Sequence, residues 1–144
     1  MTRVDFYFNA EDRLQVACRL AGKAARQGRK LLVLAPGEEL AQRIDRLLWS
    51  WPATGFVPHC FAHDPLAAET PVLIATSPED DPACEVLLNL GEDAPPRFER
   101  YPRVLEIVSR DDAARQAGRT RFRFYKDRGF ELAHHDLAAK AGDD

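Results

Sequence analysis

Short apolar runs alternate with amphipathic stretches over the first fifty residues. Residues 4–8 and 30–35 are compact apolar runs of the kind found in strands, and the second is typical of a strand buried on both faces of a sheet. Apolar residues recur at helical spacing over residues 14–25, where Asn9 is expected to cap the helix, and again over residues 40–49. This strand–helix–strand–helix order predicts an α/β fold with a mostly parallel sheet flanked by helices.

The pattern is less regular in the remainder of the chain. Five prolines fall between residues 52 and 78, and irregular structure is predicted for most of that stretch. Further strands are predicted at residues 72–76, 85–90, 104–108 and, as an edge strand, 130–132. An arginine-rich segment before Gly129 predicts a helix that ends at this glycine. We expect one domain over residues 1–144, with fraying from about residue 133.

The composition is that of an ordinary globular protein, and it limits the classes of function. Hydrophobic residues make up 45% and charged residues 30% of the 144 residues, and the formal net charge is −3. This acidic balance argues against bulk nucleic-acid binding, which relies on a basic surface. No apolar run approaches the ~20 residues that span a bilayer, and the N-terminus lacks the apolar region of a secretion signal. Three widely spaced cysteines fit a reducing compartment, so a cytoplasmic protein without a membrane partner is expected.

Cationic residues are concentrated near the C-terminal end, against the charge of the whole chain. Between Arg97 and Arg128 there are ten Lys and Arg residues against five Asp and Glu residues. On a helix, five residues of this segment fall within roughly a 100° arc. These five residues, called the cationic stripe below, are Arg115, Arg119, Phe122, Arg123 and Lys126. Cations around an aromatic ring, on an otherwise acidic protein, indicate a binding site for an anionic ligand.

The opposite arc of this predicted helix carries the small and apolar residues Ala113, Ala117 and Phe124. We expect these residues to face the core, which turns the cationic stripe toward solvent and leaves Phe122 exposed. Gly118 is expected to weaken the helix by up to ~1 kcal/mol relative to alanine. The alternative interpretation is a charged face that is merely solvated, which is the usual role of a charge run.

Large aromatic residues cluster after the second predicted helix. Both tryptophans of the chain, Trp49 and Trp51, lie within nine residues of Phe56 and Val57. Such residues at the end of a helix belong either to the core or to an exposed anchor patch for a protein partner. The sequence leaves both interpretations open.

Phosphate, metal and nucleophile chemistry find little support in the sequence. The first predicted strand is followed by Glu11 and Asp12 rather than glycines, and the chain has no G-x-x-x-x-G-K-[ST] motif. His59, Cys60 and His63 lie near one another, as do the adjacent His134 and His135. Their spacing is not that of a zinc site, so loop histidines and a buried thiol are favoured. We expect no catalytic residue, no metal and no cofactor.

The sequence resembles the chi subunit family of the bacterial DNA polymerase III holoenzyme over nearly its whole length. The matching stretches are Asp-Phe-Tyr-Phe at residues 5–8, Arg-Lys-Leu-Leu-Val-Leu at 29–34, Leu-Trp at 48–49, Trp-Pro at 51–52, Phe-Val-Pro-His at 56–59, and residues 115–132 ending in Gly-Phe-Glu-Leu. The Leu-Trp…Phe-Val-Pro-His block and the arginine-rich segment are its specific parts. The resemblance implies a non-enzymatic clamp-loader accessory protein with a Rossmann-like fold and no nucleotide site.

The resemblance also implies two protein partners. The family binds the acidic C-terminal tail of the single-stranded-DNA-binding protein, and it pairs with the psi subunit, which joins it to the clamp loader. The tail-binding positions would be Arg115, Arg119, Phe122 and Arg123, with Val108 on the preceding strand; Lys126 joins them as part of the cationic stripe. The psi-facing positions would be Trp49 and Phe56, with Trp51, Val57 and Pro58 beside them. Phe122 replaces a ring that is commonly tyrosine in the family, and the stretch from Cys60 to Pro78 departs from the family pattern.

Two other functions remain as alternatives. One is direct binding of single-stranded nucleic acid, with Arg119, Phe122 and Tyr125 as backbone and stacking contacts. The other is a mononucleotide-binding α/β enzyme. A helicase is a further candidate partner for the surface around Trp49.

Overall fold

The protein is built on a seven-stranded parallel sheet. A computed structural model describes residues 2–50, 57–77 and 83–138. The strands in these ranges are β1 (Arg3–Ala10), β2 (Leu31–Leu34), β3 (His59–Phe61), β4 (Val72–Ala75), β5 (Val86–Asn89), β6 (Arg103–Ser109) and β7 (Glu131–Asp136). Their order across the sheet is β3-β4-β2-β5-β6-β1-β7, and each pairing among them is parallel. The predicted mostly parallel α/β fold is confirmed.

Helices cover both faces of the sheet. They are α1 (Arg13–Arg26), α2 (Glu38–Ser50) and α3 (Asp112–Asp127), and two short 3-10 turns occur at Ala67–Glu69 and Phe98–Arg100. α1 and α2 pack on one face, while α3 packs on the other face against β6 and β7. Because both faces are covered, every residue of β2 and β4 is buried, which explains their continuous apolar sequences. The architecture is Rossmann-like.

The predicted cap of the first helix is wrong. β1 continues to Ala10, and Asn9 adopts a left-handed conformation with φ of 64°. Asp12 caps α1 instead, because its carboxylate accepts hydrogen bonds from the backbone N–H groups of Leu14 and Gln15 at 3.1 and 3.3 Å.

Two strands differ from the sequence prediction. β3 lies within the stretch that was predicted to be irregular, and its three residues are too few for a recognisable alternation. β7 lies at the sheet edge as predicted, but it runs to Asp136. The expected fraying is therefore wrong for residues 133–136. The ladder to β1, from Arg3 opposite Glu131 to Phe8 opposite Asp136, holds this segment in place. Residues 139–144 lie outside the described residues.

The face that α3 turns to the core is not the one that its alanines suggested. The buried residues of α3 are Gly118, Arg121 and Tyr125. Ala113 is exposed, whereas Ala117 and Phe124 are only partly buried. An arginine occupies the core side because a buried carboxylate on β6 pairs with it.

This carboxylate belongs to Glu106, which is fully buried beneath α3. Arg121 Nε donates to Glu106 Oε1 at 2.8 Å, Tyr125 Oη donates to Oε2 at 2.7 Å, and Asn89 Nδ2 donates to both oxygens. Burial raises the pKa of Glu106, and the charge of Arg121 with these hydrogen bonds offsets part of the rise. Arg121 Nη1 also donates to the Glu92 carbonyl at 2.9 Å, so the Glu106 cluster (Glu106, Arg121, Tyr125, Asn89) ties α3 to β5, to β6 and to the loop after β5.

Gly118 lets α3 approach β6 closely. A Cβ atom at this position would lie 2.8 Å from Cγ2 and 3.0 Å from Cγ1 of Val108. The glycine that was expected only to weaken the helix is therefore required by packing.

We predict that Gly118→Ala destabilises the protein by about 1–3 kcal/mol, because the steric clash with Val108 outweighs the better helix propensity of alanine. Denaturant unfolding of the variant measures this loss. The double variant Gly118→Ala/Val108→Ala should lose less than the sum of the two single losses, since it removes the clashing methyl groups. A single variant as stable as the wild type would contradict the prediction.

Arg121→Met should destabilise the protein by about 3–5 kcal/mol, because it leaves the buried Glu106 carboxylate without its cation. Arg123→Met is the matched control: Arg123 is exposed two residues further along α3, and its loss should change the unfolding free energy by less than about 0.5 kcal/mol. Thermal and denaturant unfolding of the two variants give the comparison. Equal stability of the two variants would show that the Glu106 cluster does not hold α3.

Candidate functional site

The four cations of the cationic stripe lie exposed on α3. They are Arg115, Arg119, Arg123 and Lys126. Among the described residues, no carboxylate lies within ion-pair distance of any of these side chains. Four exposed cations on one helix, without internal neutralisation from the described part of the chain, form a favourable surface for an anion.

Phe122 is only partly exposed, which corrects the expectation that it faces solvent. Its ring packs edge-on against Phe6 of β1, with 5.3 Å between centroids, and against His134 of β7, with 4.9 Å. His134 also lies 5.6 Å from the Phe8 ring. Phe8, Phe122 and His134 form an aromatic seam, called the α3–β7 junction below, in which Phe8 and Phe122 are partly exposed and His134 is exposed.

The stripe lies along this junction. Arg119 is three residues before Phe122, and Lys126 is four residues after it, so both are neighbours of Phe122 on the helix surface. Arg115 lies one further turn toward the N-terminus of α3. The flank of α3 beside β7 thus combines an apolar seam with a row of cations. His134 was not among the predicted site residues, although its alternation with Leu132 along β7 places it on the face toward α3.

Val108 does not lie on this surface. It is 3% exposed in the core beneath α3, in contact range of Gly118. As β6 is an interior strand covered by α3, the expected direct contact of Val108 with a ligand is not available, and its part is to support the helix.

The predicted partner surface around the end of α2 is only partly described. Trp49 is 59% exposed, and Pro58 is exposed, whereas Val57 is 2% exposed and belongs to the core. The expected role of Val57 as a surface contact is therefore corrected. Trp51 and Phe56 lie outside the described residues.

Trp49 rests on a buried histidine. Its ring meets the imidazole of His59 edge-on at 4.9 Å. The Nδ1 atom of His59 lies 2.7 Å from the Val57 carbonyl oxygen, and Nε2 lies 3.1 Å from Asp45 Oδ1. His59 thus joins the end of α2 to β3 and serves the structure of this surface.

The remaining histidines are not assembled into a metal site. His135 points to the face of the sheet opposite His134, where Nε2 lies 3.0 Å from Oδ1 of the buried Asp5. Burial raises the pKa of Asp5, but hydrogen bonds from Arg103 and His135 outweigh it, so that the pKa lies below its ordinary value. Over residues 2–50, 57–77 and 83–138 no group of three His, Cys, Asp or Glu side chains could hold a metal ion.

Carboxylates cap two of the three described helices at the carboxyl-end edge of the sheet, where α/β proteins often bind nucleotides. Asp12 caps α1, and Asp111 caps α3 by accepting from the Ala114 N–H at 3.1 Å. Arg110 Nε donates to the Asn9 carbonyl at the end of β1 at 3.2 Å. The N-termini of α1 and α3 therefore donate amide hydrogen bonds to internal carboxylates, which makes them less suited to bind a phosphate.

A cleft of about 320 Å³ lies between α2 and the ends of β3 and β4. Its charged lining residues are Glu38, Asp45 and Arg46, with His63 at its side. Two carboxylates against one guanidinium make it a poor receptor for an anion.

In the described ranges, no helix has the length and apolar character needed to cross a membrane.

The chain matches the family model described as DNA polymerase III chi subunit, HolC, over residues 1–133. It is 40% identical over 141 residues to the DNA polymerase III subunit chi of Pseudomonas aeruginosa, an alignment that covers 95% of this chain and 98% of that protein.

Two further relatives carry the same name. The DNA polymerase III subunit chi of Escherichia coli is 29% identical over 119 residues, covering 82% of this chain and 81% of the relative. The DNA polymerase III subunit chi of Haemophilus influenzae is 28% identical over 124 residues, covering 85% of this chain and 86% of the relative. Since the family match and these relatives span most of the sequence, the chain belongs to the DNA polymerase III chi subunit family, whose members are accessory subunits of the bacterial replicative polymerase.

Proposed function

We propose that this chain is a non-catalytic adaptor that binds the acidic C-terminal tail of the single-stranded-DNA-binding protein and connects it, through the psi subunit, to the clamp loader. The observation that carries the proposal is the row of four exposed cations of the cationic stripe around the partly exposed ring of Phe122. This flank of α3 matches a peptide that ends in carboxylates and an apolar side chain.

The chemistry of the stripe suits such a tail. Arginine can meet a carboxylate with two parallel hydrogen bonds, and Arg119 and Arg123 are the best placed for the terminal and side-chain carboxylates. Arg115 and Lys126 extend the cationic row for outlying acidic residues. The rings of the α3–β7 junction offer an apolar contact for the terminal side chain.

The affinity of this interaction should be moderate. The cations are exposed, so each ion pair contributes little, and the tail loses conformational entropy when it is ordered. Binding in the micromolar range follows, and it should weaken with salt because exposed charges are screened over ~8 Å at physiological ionic strength.

Direct binding of single-stranded DNA is less well supported. Tyr125, one of the three contacts that this alternative needs, is fully buried, and its hydroxyl donates to Glu106. Its ring is therefore not available to stack on a base. The enzyme alternative is less well supported, because Asp12 and Asp111 cap the N-termini of α1 and α3, which a phosphate could otherwise use.

A second surface, around Trp49, supports the proposed link to psi. A tryptophan that is 59% exposed, at the end of a helix and packed edge-on against the buried His59, has the character of an interface anchor. A helicase is a second candidate partner for this surface.

We predict that Arg119→Glu weakens binding of a fluorescent acidic peptide ending in Pro-Phe by at least about tenfold, because a charge-assisted pair becomes a repulsion. Fluorescence anisotropy at low and physiological salt measures the dissociation constants. Arg19→Glu is the matched control: Arg19 is exposed on α1, on the other face of the sheet, and its reversal should change the affinity less than about twofold, as distant exposed charges interact weakly.

The same titration with a labelled single-stranded oligonucleotide separates the two binding functions. The adaptor proposal expects weak oligonucleotide binding. Tight binding to the uncoated oligonucleotide, lost in Arg119→Glu, would contradict the proposal in favour of direct DNA binding, and so would a peptide affinity unaffected by Arg119→Glu.

Trp49→Ala should weaken binding to the purified psi subunit by about thirtyfold, as expected for a tryptophan hot spot. Leu66→Ala is the matched control, because Leu66 is 60% exposed but lies in the loop between β3 and β4 rather than on α2. Isothermal titration calorimetry compares the two variants, and the acidic-peptide affinity of both should stay unchanged. Equal losses from Trp49→Ala and Leu66→Ala would remove the support for this surface.

A further inference from the structure

His134 lies at the edge of the proposed peptide site. We infer that His134 is a titratable member of that site, whose imidazolium form adds a fifth cation for the acidic peptide, so that peptide capture strengthens as the pH falls. This inference rests on the proposed function and assigns a role to a residue on β7 rather than on α3.

The position of His134 carries the inference. The side chain is exposed on the edge strand of the sheet, and its ring lies 4.9 Å from the Phe122 centroid. A ligand whose apolar end contacts Phe122 therefore has its carboxylates within reach of the imidazole. Among the described residues, the ring nitrogens of His134 have no hydrogen-bond partner or ion pair, so they are available to a ligand.

The charged groups around His134 come from two elements. α3 presents the cations Arg115, Arg119, Arg123 and Lys126 along the junction. On β7 itself, Asp136 lies two residues further along the same face and accepts a hydrogen bond from the Asn9 amide at 2.8 Å. β1 contributes the uncharged rings of Phe6 and Phe8.

An acidic ligand changes the balance between the neutral and the protonated form of His134. Its carboxylates favour the imidazolium over the neutral ring, so binding is linked to proton uptake. Histidine is the side chain that changes charge between about pH 5 and 8. The carboxylates of the peptide stay ionised over this range because their ordinary pKa values lie near 4. The affinity should therefore fall as the pH rises.

The experiment measures binding of the acidic peptide ending in Pro-Phe between pH 5.5 and 8.5 at constant ionic strength. The wild type should bind about two- to fivefold more weakly at the upper end, the size expected for one exposed ion pair. His134→Gln should show a flat profile at the weaker level, and His134→Lys a flat profile at the stronger level. Calorimetry in buffers of different ionisation enthalpy should show proton uptake in the wild type and none in His134→Gln.

His63→Gln is the matched control, because His63 is an exposed histidine that follows β3 at the opposite edge of the sheet. It should keep the wild-type pH profile. A thermal unfolding scan of each variant confirms that it is folded.

Three results would overturn the inference. In the first, His134→Gln keeps the wild-type pH profile. In the second, His134→Gln loses the same fraction of affinity at every pH, which would show that His134 has a packing role alone. In both cases an intact effect of Arg119→Glu leaves the proposed function standing. The third is a wild type that fails to bind the peptide at any pH, which removes the proposed function and the inference together.

Discussion

The buried pair between Glu106 on β6 and Arg121 on α3 determines which surface the protein presents. Four hydrogen bonds from three side chains converge on one carboxylate, and a charge placed so deep is stable only when its cation stays in contact. The pair therefore fixes the rotation of α3 about its own axis. With Arg121 turned inward, the neighbours two positions away, Arg119 and Arg123, must point outward, and Phe122 must turn toward β7.

Packing at Gly118 sets the distance between α3 and β6, just as the Glu106–Arg121 pair sets the rotation of α3. The helix rests on the Val108 methyl groups without an intervening side chain, which brings the flank of α3 down to the edge of the sheet. Phe122 can then reach both Phe6 and His134. The aromatic seam beside the cations thus follows from one missing Cβ and one buried charge, both on the core side of α3.

Periodicity alone was sufficient to predict the layered α/β architecture, since the apolar runs of β2 and β4 and the helical spacing of α1 and α2 are strong signals. It was sufficient for the outward direction of Arg115, Arg119, Arg123 and Lys126 as well. It was insufficient where a polar residue is buried: Arg121 matches its exposed neighbours in type, and only the partner Glu106, fifteen residues earlier, distinguishes it. His134 was missed because its role depends on a strand whose pairing with β1 is non-local.

That pairing between the first and the last strand has a consequence for synthesis. Asp5 and His135 touch across 130 positions of sequence, and β7 has no neighbour in the described sheet other than β1. A growing chain that has already formed α3 still lacks His134 of the aromatic seam. It gains this residue only when β7 pairs with β1 at the edge of the sheet. The aromatic seam is therefore complete only in chains whose first and last strands have paired, and binding at the proposed site should depend on that long-range pairing.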